Sequence, residues 1–472
     1  MVGITSYGLY IPYNRLSRKH IDEAYGKKSL PGEKAVANYD EDSLTMAVAA
    51  ARNCLEDTLK ENLTAIYFAS TTAPNKDKQS AAHLASVLDR DGVMRTADFG
   101  GSLRAGAGAM LAALDLAELG GTALAAVADC RLGSPESVFE SSFGDGAAAF
   151  CFGSENIIAE YVGAHSVAYD FYDVWRGEED RFARTFDERF SLREGFVPFI
   201  SESIAGVLSK TGLQPRDFAK IVIDDSSGKK TGPILKKTGF TSEQVYDEGI
   251  LGDFGYSGAA YGPISLAGAL QQSAAGDLIL YVSYGEGSDA IVFRALAPST
   301  PGFDRGVAYF KEHKRNDMNY EKYLKWKQLM EFAPPRRPLL TRSSLPDFYR
   351  KRKKNLACYG SVCKKCGTPH FPPSRICVQC AAIDKMNPYP FLGRKAKIAT
   401  YAIDYLAFSL DSPNVVAVVD FEGGGRMYTN LVDCDLEKVV IDMPVTLVYR
   451  KMFAAGGVST YFWKCVPSDA TL

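Results

Sequence analysis

The segment CKKCGTPHFPPSRICVQC, residues 363–380, carries two cysteine pairs with the spacing C-x2-C-x10-C-x2-C. Each pair forms a tight knuckle that aims two thiolates at one cation, and four thiolates complete the closed tetrahedral shell typical of structural zinc. Gly367, directly after the second cysteine, suits the positive φ that such a knuckle often needs. The spacing therefore predicts a zinc ribbon, with iron as the alternative metal. The four predicted ligands are Cys363, Cys366, Cys377 and Cys380.

Upstream of the ribbon, short β-rich runs alternate with Ala- and Leu-rich helical stretches. This alternation predicts a layered α/β architecture. Two similar strand–helix series lie before and after about residue 165, which indicates a duplicated fold with halves at 1–165 and 166–300. The predicted strands lie at 64–70, 123–130, 144–153, 219–225 and 277–285, and the predicted helices at 80–89 and 105–119.

The rest of the chain divides into three further segments. Residues 301–352 are predicted as a helical linker. Its basic run RKRKK (350–354) is interpreted as solvated rather than as a contact to a phosphate or an acidic partner. The zinc ribbon takes residues 353–385. Five short strands separated by turn signals follow in 386–472, and this pattern predicts a small closed β-barrel of the OB type.

The bulk composition favours a cytoplasmic protein without membrane or nucleic-acid partners. The net charge is -2, and no apolar run approaches the ~20 residues that a membrane-spanning helix needs. The N-terminus lacks the features of a signal peptide, and the cysteines cluster at metal-ligand spacing, so disulfides are not expected. Acidic segments such as DFEGGG in the barrel also oppose nucleic-acid binding.

Several segments resemble 3-hydroxy-3-methylglutaryl-CoA synthases, especially the archaeal type. The resemblance implies the five-layered thiolase fold, built from two βαβαβαββ halves and normally dimeric, and a CoA thioester as ligand or substrate. From about residue 345 the chain resembles the zinc-ribbon and OB-fold family that accompanies thiolases and acyl-CoA enzymes. The segments that carry the first resemblance are GEKAVANYDEDSLTMAVAAAR (32–52), YDVWRGEEDRFARTFDERF (172–190), GLQPRDFAKIVI (212–223), SYGEGSDA (283–290) and YEKYLKWK (320–327).

The sequence departs from the synthase family where that family does its chemistry. The family places a nucleophilic cysteine at a helix N-terminus in Ala-Cys-Tyr-Gly-Gly-Thr; the matching stretch here is ADFGGS (97–102), with Asp98 at the cysteine position. By the same matching, Thr71 replaces the general-base glutamate, Asp224 the histidine and Tyr256 the asparagine. The short SYGEGSDA loop also puts the family's backbone oxyanion donor in doubt. A cysteine-dependent acyl-enzyme mechanism is therefore not expected.

Asp98, Asp224 and Tyr256 are the candidate catalytic residues. If the thiolase fold brings the carboxylates together with Asp225, their repulsion raises one pKa and suits acid–base chemistry. The alternative for Asp98 is a helix N-cap, and for Tyr256 it is core packing. Arg176 and Lys229 are candidates for the phosphates of CoA, or else solvated charges.

Two functions are consistent with these residues. In the first, the chain is a degenerate subunit that binds acyl-CoA and works in a complex with an intact thiolase-type enzyme, as a homodimer or hetero-oligomer. In the second, it is a cysteine-independent enzyme that makes or breaks carbon–carbon bonds in acyl-CoA, for example by retro-aldol cleavage. The sequence does not name the acyl group.

Overall fold

The computed structural model describes residues 1–28, 31–55, 63–296, 305–333 and 344–468. The chain forms two compact units. The first comprises Met1–Asn38, Asp42–Leu84 and Gly92–Tyr323, and the second comprises Tyr39–Glu41, Ala85–Asp91 and Leu324–Leu472. The predicted boundary between residues 300 and 301 lies outside the described residues.

Fourteen strands precede the ribbon among the described residues: β1 Gly3–Tyr10, β2 Asn14–Ser17, β3 Glu33–Val36, β4 Ala65–Ala69, β5 Arg95–Phe99, β6 Ala123–Asp129, β7 Gly146–Gly153, β8 Ala159–Ala168, β9 Val174–Trp175, β10 Arg184–Thr185, β11 Phe218–Ile223, β12 Leu278–Gly285, β13 Gly287–Ala295 and β14 Arg315–Met318. The helices over the same part of the chain are α1 Arg18–Ala24, α2 Ser43–Cys54, α3 Ser80–Val87, α4 Ala105–Glu118, α5 Val138–Ser142, α6 Glu188–Phe190, α7 Val197–Thr211, α8 Thr231–Thr238, α9 Ile250–Asp253, α10 Tyr261–Gln271, α11 Val307–Glu312 and α12 Tyr320–Trp326.

The main sheet has nine strands in the order β11-β12-β13-β8-β1-β7-β6-β4-β5. A short antiparallel pairing of Gly3 and Ile4 with Glu160 and Ala159 joins its two parts. The first part follows the predicted βαβαβαββ order through β1, α2, β4, α3, β5, α4, β6 and β7. The second part keeps this order except that the strand expected between α8 and α10 is reduced to one parallel bridge, Ile221 to Val245.

Alternating side chains of the strands face different helices, which produces the layers. In β12, Ile279 and Tyr281 belong to a core that includes α4 and α10, while Leu280 and Val282 belong to a core that includes α7. The small residues of α4 and α10, mostly alanine and glycine, let these helices pack closely between the two parts of the sheet. The five-layered arrangement predicted for the chain is thus present.

The segment predicted as a helical linker also contains a strand. Besides α11 and α12 it carries α13 (Leu345–Arg350), but β14 pairs in parallel with β2. The remaining strand of that small sheet is β3. The basic run belongs to α13 and α14 (Arg352–Leu356), where the Lys353 ammonium lies 2.5 Å from the Asp89 carboxylate within the second unit. Residues 301–304 and 334–343 lie outside the described residues.

The second unit contains the ribbon and the barrel. The ribbon strands β15 (Tyr359–Cys363), β16 (Pro369–His370) and β17 (Met386–Pro390) form a three-stranded sheet. Five further strands close the predicted barrel in the order β18-β19-β20-β22-β21. Their bounds are β18 Ala396–Asp404, β19 Asn414–Phe421, β20 Arg426–Leu431, β21 Pro444–Ala455 and β22 Val458–Pro467. Within the described ranges, no helix has the length and apolar character needed to cross a membrane.

Candidate functional site

The four predicted cysteine ligands converge at one point of the ribbon. Their Sγ atoms all lie within 4.8 Å of one another, as four ligands of one small cation require. A hydrogen bond from the Thr368 hydroxyl is the main cause that lowers the pKa of Cys366, which favours the thiolate that binds metal. The donor set therefore fits a metal ion held by four thiolates, as predicted. The ligands are Cys363, Cys366, Cys377 and Cys380.

Asp224 lies directly after β11, where its N–H donates to the Val282 carbonyl at 3.0 Å. The residue is 2% exposed. Burial raises the pKa of Asp224 to about 8; the Asp225 charge adds to the rise, and Tyr256 and Arg131 oppose it. Neither carboxylate oxygen makes a hydrogen bond of ordinary geometry with the described residues. Such a carboxyl group holds its proton at neutral pH and can give it up or take it back in a reaction.

Tyr256 is held beside Asp224 by its backbone. Its N–H donates to the Ser142 carbonyl at 2.8 Å, and its own carbonyl accepts from the Gly144 N–H at 3.0 Å. A Cβ on Gly144 would lie 1.8 Å from the backbone oxygen of Phe254, so only glycine lets these two segments approach so closely. Burial, and then the Asp224 charge, raise the pKa of Tyr256 well above its usual value. The phenol therefore stays protonated and available as a hydrogen-bond donor.

Arg131 is a third ionisable group at this point of the first unit. It is 5% exposed, and its guanidinium carbon lies 5.4 Å from the centre of the Phe143 ring. Desolvation lowers the pKa of Arg131, and the charges of Asp129, Tyr256 and Glu286 oppose that effect. Its Nε is fully buried and has no hydrogen-bond partner among the described residues.

Asp129 organises the backbone around these residues. It ends β6 with a fully buried carboxylate that accepts five hydrogen bonds, four from the loop after β4 and one from the segment after Tyr256. Three chain segments distant in sequence are thereby fixed to one another. The donors are the Ser70 hydroxyl, the Thr71 N–H and hydroxyl, the Thr72 hydroxyl and the Ala259 N–H.

The start of α4 faces the same group of residues. The Ser102 hydroxyl donates to the Glu286 carboxylate, in the tight turn between β12 and β13, and Arg104 forms an ion pair with Asp289 at 3.2 Å. Glu286 in turn lies close enough to oppose the lowering of the Arg131 pKa. The sequence from 95 to 118 contains no cysteine. Consequently, no thiol stands at the opening of α4.

Asp98 does not join Asp224 and Tyr256, which corrects the expectation that these groups converge. It lies in β5, and its carboxylate accepts the backbone N–H groups of Ser80 at 2.6 Å and Ala81 at 2.8 Å. Asp98 therefore caps α3 rather than α4. Asp98 is also exposed, whereas Asp224 is buried. The residues that open α4 are instead 102–104.

The two residues proposed for CoA phosphates differ in position. Arg176 is half-buried; its guanidinium donates to the Thr71 carbonyl, and its charge acts on Arg131. Lys229 is exposed in the loop between β11 and α8. Arg176 thus adds positive charge beside Arg131, whereas the Lys229 ammonium faces solvent, where a phosphate can reach it.

Sequence reasoning missed Arg131, Asp129 and Glu286. Each stands in a short loop or at a strand end, where a charged residue is usually solvated. Their roles arise from contacts between chain segments more than fifty residues apart. The one available signal was their position at or directly after strands, where sites in α/β folds commonly lie.

Comparisons with known proteins agree with this architecture. Hydroxymethylglutaryl-CoA synthase of Methanocaldococcus jannaschii is 32% identical over 346 residues, which cover 70% of this chain and 99% of that protein. The corresponding synthase of Methanothermobacter thermautotrophicus is 31% identical over 357 residues, covering 71% of this chain and all of that protein (100%). Residues 389–450 match the family described as "ChsH2, C-terminal OB-fold domain".

Solved structures show the same fold at lower identity. A crystal structure of HMG-CoA synthase complexed with CoA superposes with a TM-score of 0.59 at 18% identity, over 69% of this chain and 89% of that one. A 3-oxoacyl-[acyl-carrier-protein] synthase III from Aquifex aeolicus gives a TM-score of 0.55 at 20% identity, over 62% of this chain and 100% of that one. The first unit therefore has the thiolase fold.

Proposed function

The chain belongs to the hydroxymethylglutaryl-CoA synthase family, and we propose that it binds an acyl-CoA thioester and acts on a carbon–carbon bond of the acyl group without an acyl-cysteine. The observation that carries this proposal is Asp224, a buried carboxyl group without an ordinary hydrogen bond, beside the Tyr256 phenol. The sequence at the start of α4 contains no thiol that could form an acyl-enzyme. The groups proposed for the chemistry are therefore an acid–base carboxyl group and a phenol.

Retro-aldol cleavage of a β-hydroxyacyl-CoA illustrates the proposed chemistry. Ionised Asp224 takes the proton of the β-hydroxyl group, and that oxygen forms a carbonyl as the carbon–carbon bond breaks. The electron pair moves into the thioester as an enolate, which Tyr256 stabilises by donating a hydrogen bond. The proton on Asp224 then returns to the enolate carbon. A carboxyl group with a pKa of about 8 is suited to both proton transfers near neutral pH.

The other proposed groups support binding rather than chemistry. Lys229, and to a lesser extent Arg176, are proposed to contact the phosphates of CoA. The four ribbon cysteines are proposed to hold one structural Zn²⁺, which supplies folding energy to the ribbon and takes no part in the reaction. Asp98 is proposed to act as a helix cap and not in the reaction.

Two substitutions at the site and one away from it test the proposal. Asp224→Asn and Tyr256→Phe should leave the affinity for CoA, measured by calorimetry, within about threefold of that of the unsubstituted protein. Conversion of β-hydroxyacyl-CoA substrates, followed by mass spectrometry of the thioesters, should fall at least about a hundredfold for Asp224→Asn. Arg216→Gln, on the exposed turn before β11, is the matched control with unchanged activity. Absence of CoA binding, or full activity in Asp224→Asn, contradicts the proposal.

A second candidate is the accessory subunit of a complex with an intact thiolase-type enzyme. The observation that favours it is the second unit, whose barrel matches an OB-fold domain family and exposes large apolar side chains. Among these are Tyr405, Leu406, Tyr428 and Ile441. Co-expression with a cysteine-containing thiolase-type enzyme from the same source, followed by size-exclusion chromatography, should give one joint peak. Separate peaks and full thiolase activity without this chain exclude the subunit role; the same experiment reports whether the chain is a homodimer.

A further inference from the structure

Tyr281 is a fully buried phenol in β12 whose hydroxyl has no hydrogen-bond partner among the described residues. The side chain belongs to the core that includes α4 and α10. Gly262, in the first turn of α10, leaves room for the hydroxyl, because a Cβ there would lie 2.8 Å from the phenol oxygen. An unpaired hydroxyl in a core is costly, and phenylalanine would fill the same space without it. Packing therefore does not account for the hydroxyl.

The strand register places Tyr281 on the same face of the sheet as Asp224. Tyr281 pairs with Val222 in the parallel ladder of β11 and β12, and both side chains belong to the core of α4 and α10. Asp224 follows Val222 by two residues, and residues two apart on a strand share a face. The Asp224 charge accordingly acts on the Tyr281 phenol, as does the charge of Asp289.

Of these two acids, Asp289 is already engaged. Its carboxylate forms the ion pair with Arg104 at 3.2 Å and accepts from the Ser283 hydroxyl at 3.3 Å. Neither oxygen of Asp224 has a comparable partner among the described residues. The Tyr281 hydroxyl and the Asp224 carboxyl group are thus two unpaired polar groups on one buried face of the sheet.

Ionised Asp224 needs a hydrogen-bond donor of its own. A phenol has a single O–H, and in the proposed cleavage Tyr256 directs its O–H at the enolate. The Tyr261 side chain interacts with Ser265, whereas the Tyr281 hydroxyl is free among the described residues. The ionisable groups that face Asp224 are Asp225, Arg131, Tyr256, Tyr261 and Tyr281.

We propose that Tyr281 is a positioning residue that donates a hydrogen bond to one oxygen of ionised Asp224 while the other oxygen takes the substrate proton. This inference rests on the proposed acid–base role of Asp224 and deepens it. A donor that contacts a carboxylate favours its charged form, so Tyr281 brings the ionisation of Asp224 closer to neutral pH. Tyr256 then serves the enolate, and Tyr281 serves the base.

Infrared spectroscopy of the full chain tests this assignment without substrate. Ordinary aspartate and glutamate side chains are ionised near pH 7, so the C=O band of a protonated carboxyl group should report Asp224 and be absent from Asp224→Asn. The band should disappear with a midpoint of about pH 8, and Tyr281→Phe should raise that midpoint by about one unit. Tyr161→Phe is the matched control with an unchanged midpoint, because Glu118 and Asp115 are the acids that act on that phenol.

Two further measurements separate this role from a structural one. Turnover of β-hydroxyacyl-CoA by Tyr281→Phe should fall about tenfold near pH 7 and approach that of the unsubstituted protein near pH 10, because the ionised fraction of Asp224 limits the rate. The thermal unfolding midpoint of this variant near pH 7 should not fall, since the substitution removes an unpaired hydroxyl. A merely structural tyrosine would instead lower the unfolding midpoint and leave the infrared and turnover midpoints unchanged.

Several outcomes overturn the assignment. An infrared midpoint that stays the same or falls in Tyr281→Phe does so, as does an equal rise in Tyr161→Phe or a rise in Tyr261→Phe alone. A band missing from the unsubstituted protein near pH 7 also overturns it, because Asp224 would then be ionised at rest. If the infrared midpoint shifts as expected but no β-hydroxyacyl-CoA is converted, the proposed function fails, and the link between Tyr281 and Asp224 stands.

Discussion

Replacement of Asp224 by asparagine should stabilise the protein, and increasingly so as the pH rises. Below the ordinary pKa of 3.8 the carboxyl group is protonated in both the folded and unfolded states, so it contributes no pH dependence. Between 3.8 and the folded value of about 8, the unfolded chain releases a proton that the folded protein retains. Stability therefore falls through this window and levels off above it. Asparagine is neutral at every pH and lacks this loss.

The magnitude follows from the shift in pKa. Each unit corresponds to about 1.4 kcal/mol, so the advantage of Asp224→Asn should be about 2 kcal/mol near pH 5 and as much as about 4 kcal/mol near pH 7. Asp225→Asn is the adjacent control and should have the opposite sign. The Asp225 carboxylate accepts from the N–H and hydroxyl of Ser227 and from the Lys230 N–H, so its loss should cost about 1–2 kcal/mol.

Hydrogen exchange of peptides from β11 and β12 measures this effect in the first unit alone, and urea denaturation followed by circular dichroism gives the free energy of unfolding. Two results refute the reasoning: a destabilised Asp224→Asn, or a stability difference that does not grow between about pH 5 and about pH 7. Either would mean that the carboxylate is ionised and satisfied in the folded protein.

Three further outcomes are expected. Cys366→Ser should lower bound zinc from about one equivalent per chain and remove hydrogen-exchange protection from β15 to β17. Cys358→Ala is the control and should keep the metal. An unsubstituted protein that folds without metal would contradict this prediction. Intact-mass measurement after incubation with acetyl-CoA should show no adduct, and an acyl group mapped to Cys130, which directly precedes Arg131, would overturn the cysteine-independent mechanism. Gly258→Ala should lower the free energy of unfolding by about 1–3 kcal/mol and also lower activity, because the φ of Gly258 is +56° and a Cβ would lie 2.4 Å from the Asp129 carboxylate. Gly232→Ala is the control and should not destabilise the protein, since a Cβ there would meet nothing within 4 Å.

The sequence predicts the architecture well because the relevant signals are local. Strand and helix periodicity locate β4, β6, β7, α4 and the five barrel strands within a few residues, and cysteine spacing alone predicts the four-thiolate cluster. The site is predicted only in part. Asp224 and Tyr256 meet as expected, but motif similarity matches Asp98 to the opening of α4. Asp98 instead lies in β5, at the edge of the sheet, where its carboxylate caps α3. Local sequence does not reveal which helix start lies beside a given strand.

The unsatisfied groups at the site favour a chain that receives a polar ligand there over one that only contacts a partner protein. Asp224 lacks an ordinary hydrogen bond, and the buried Arg131 Nε and Tyr281 hydroxyl have no hydrogen-bond partner among the described residues. Burial, and then the Asp224 charge, raise the pKa of Tyr281. Each such group typically costs about 1–3 kcal/mol of stability. A chain that only bound a partner would gain stability by exchanging these residues for apolar ones of similar size. Their occurrence together, around one buried carboxyl group, is what a site that must receive a polar ligand requires.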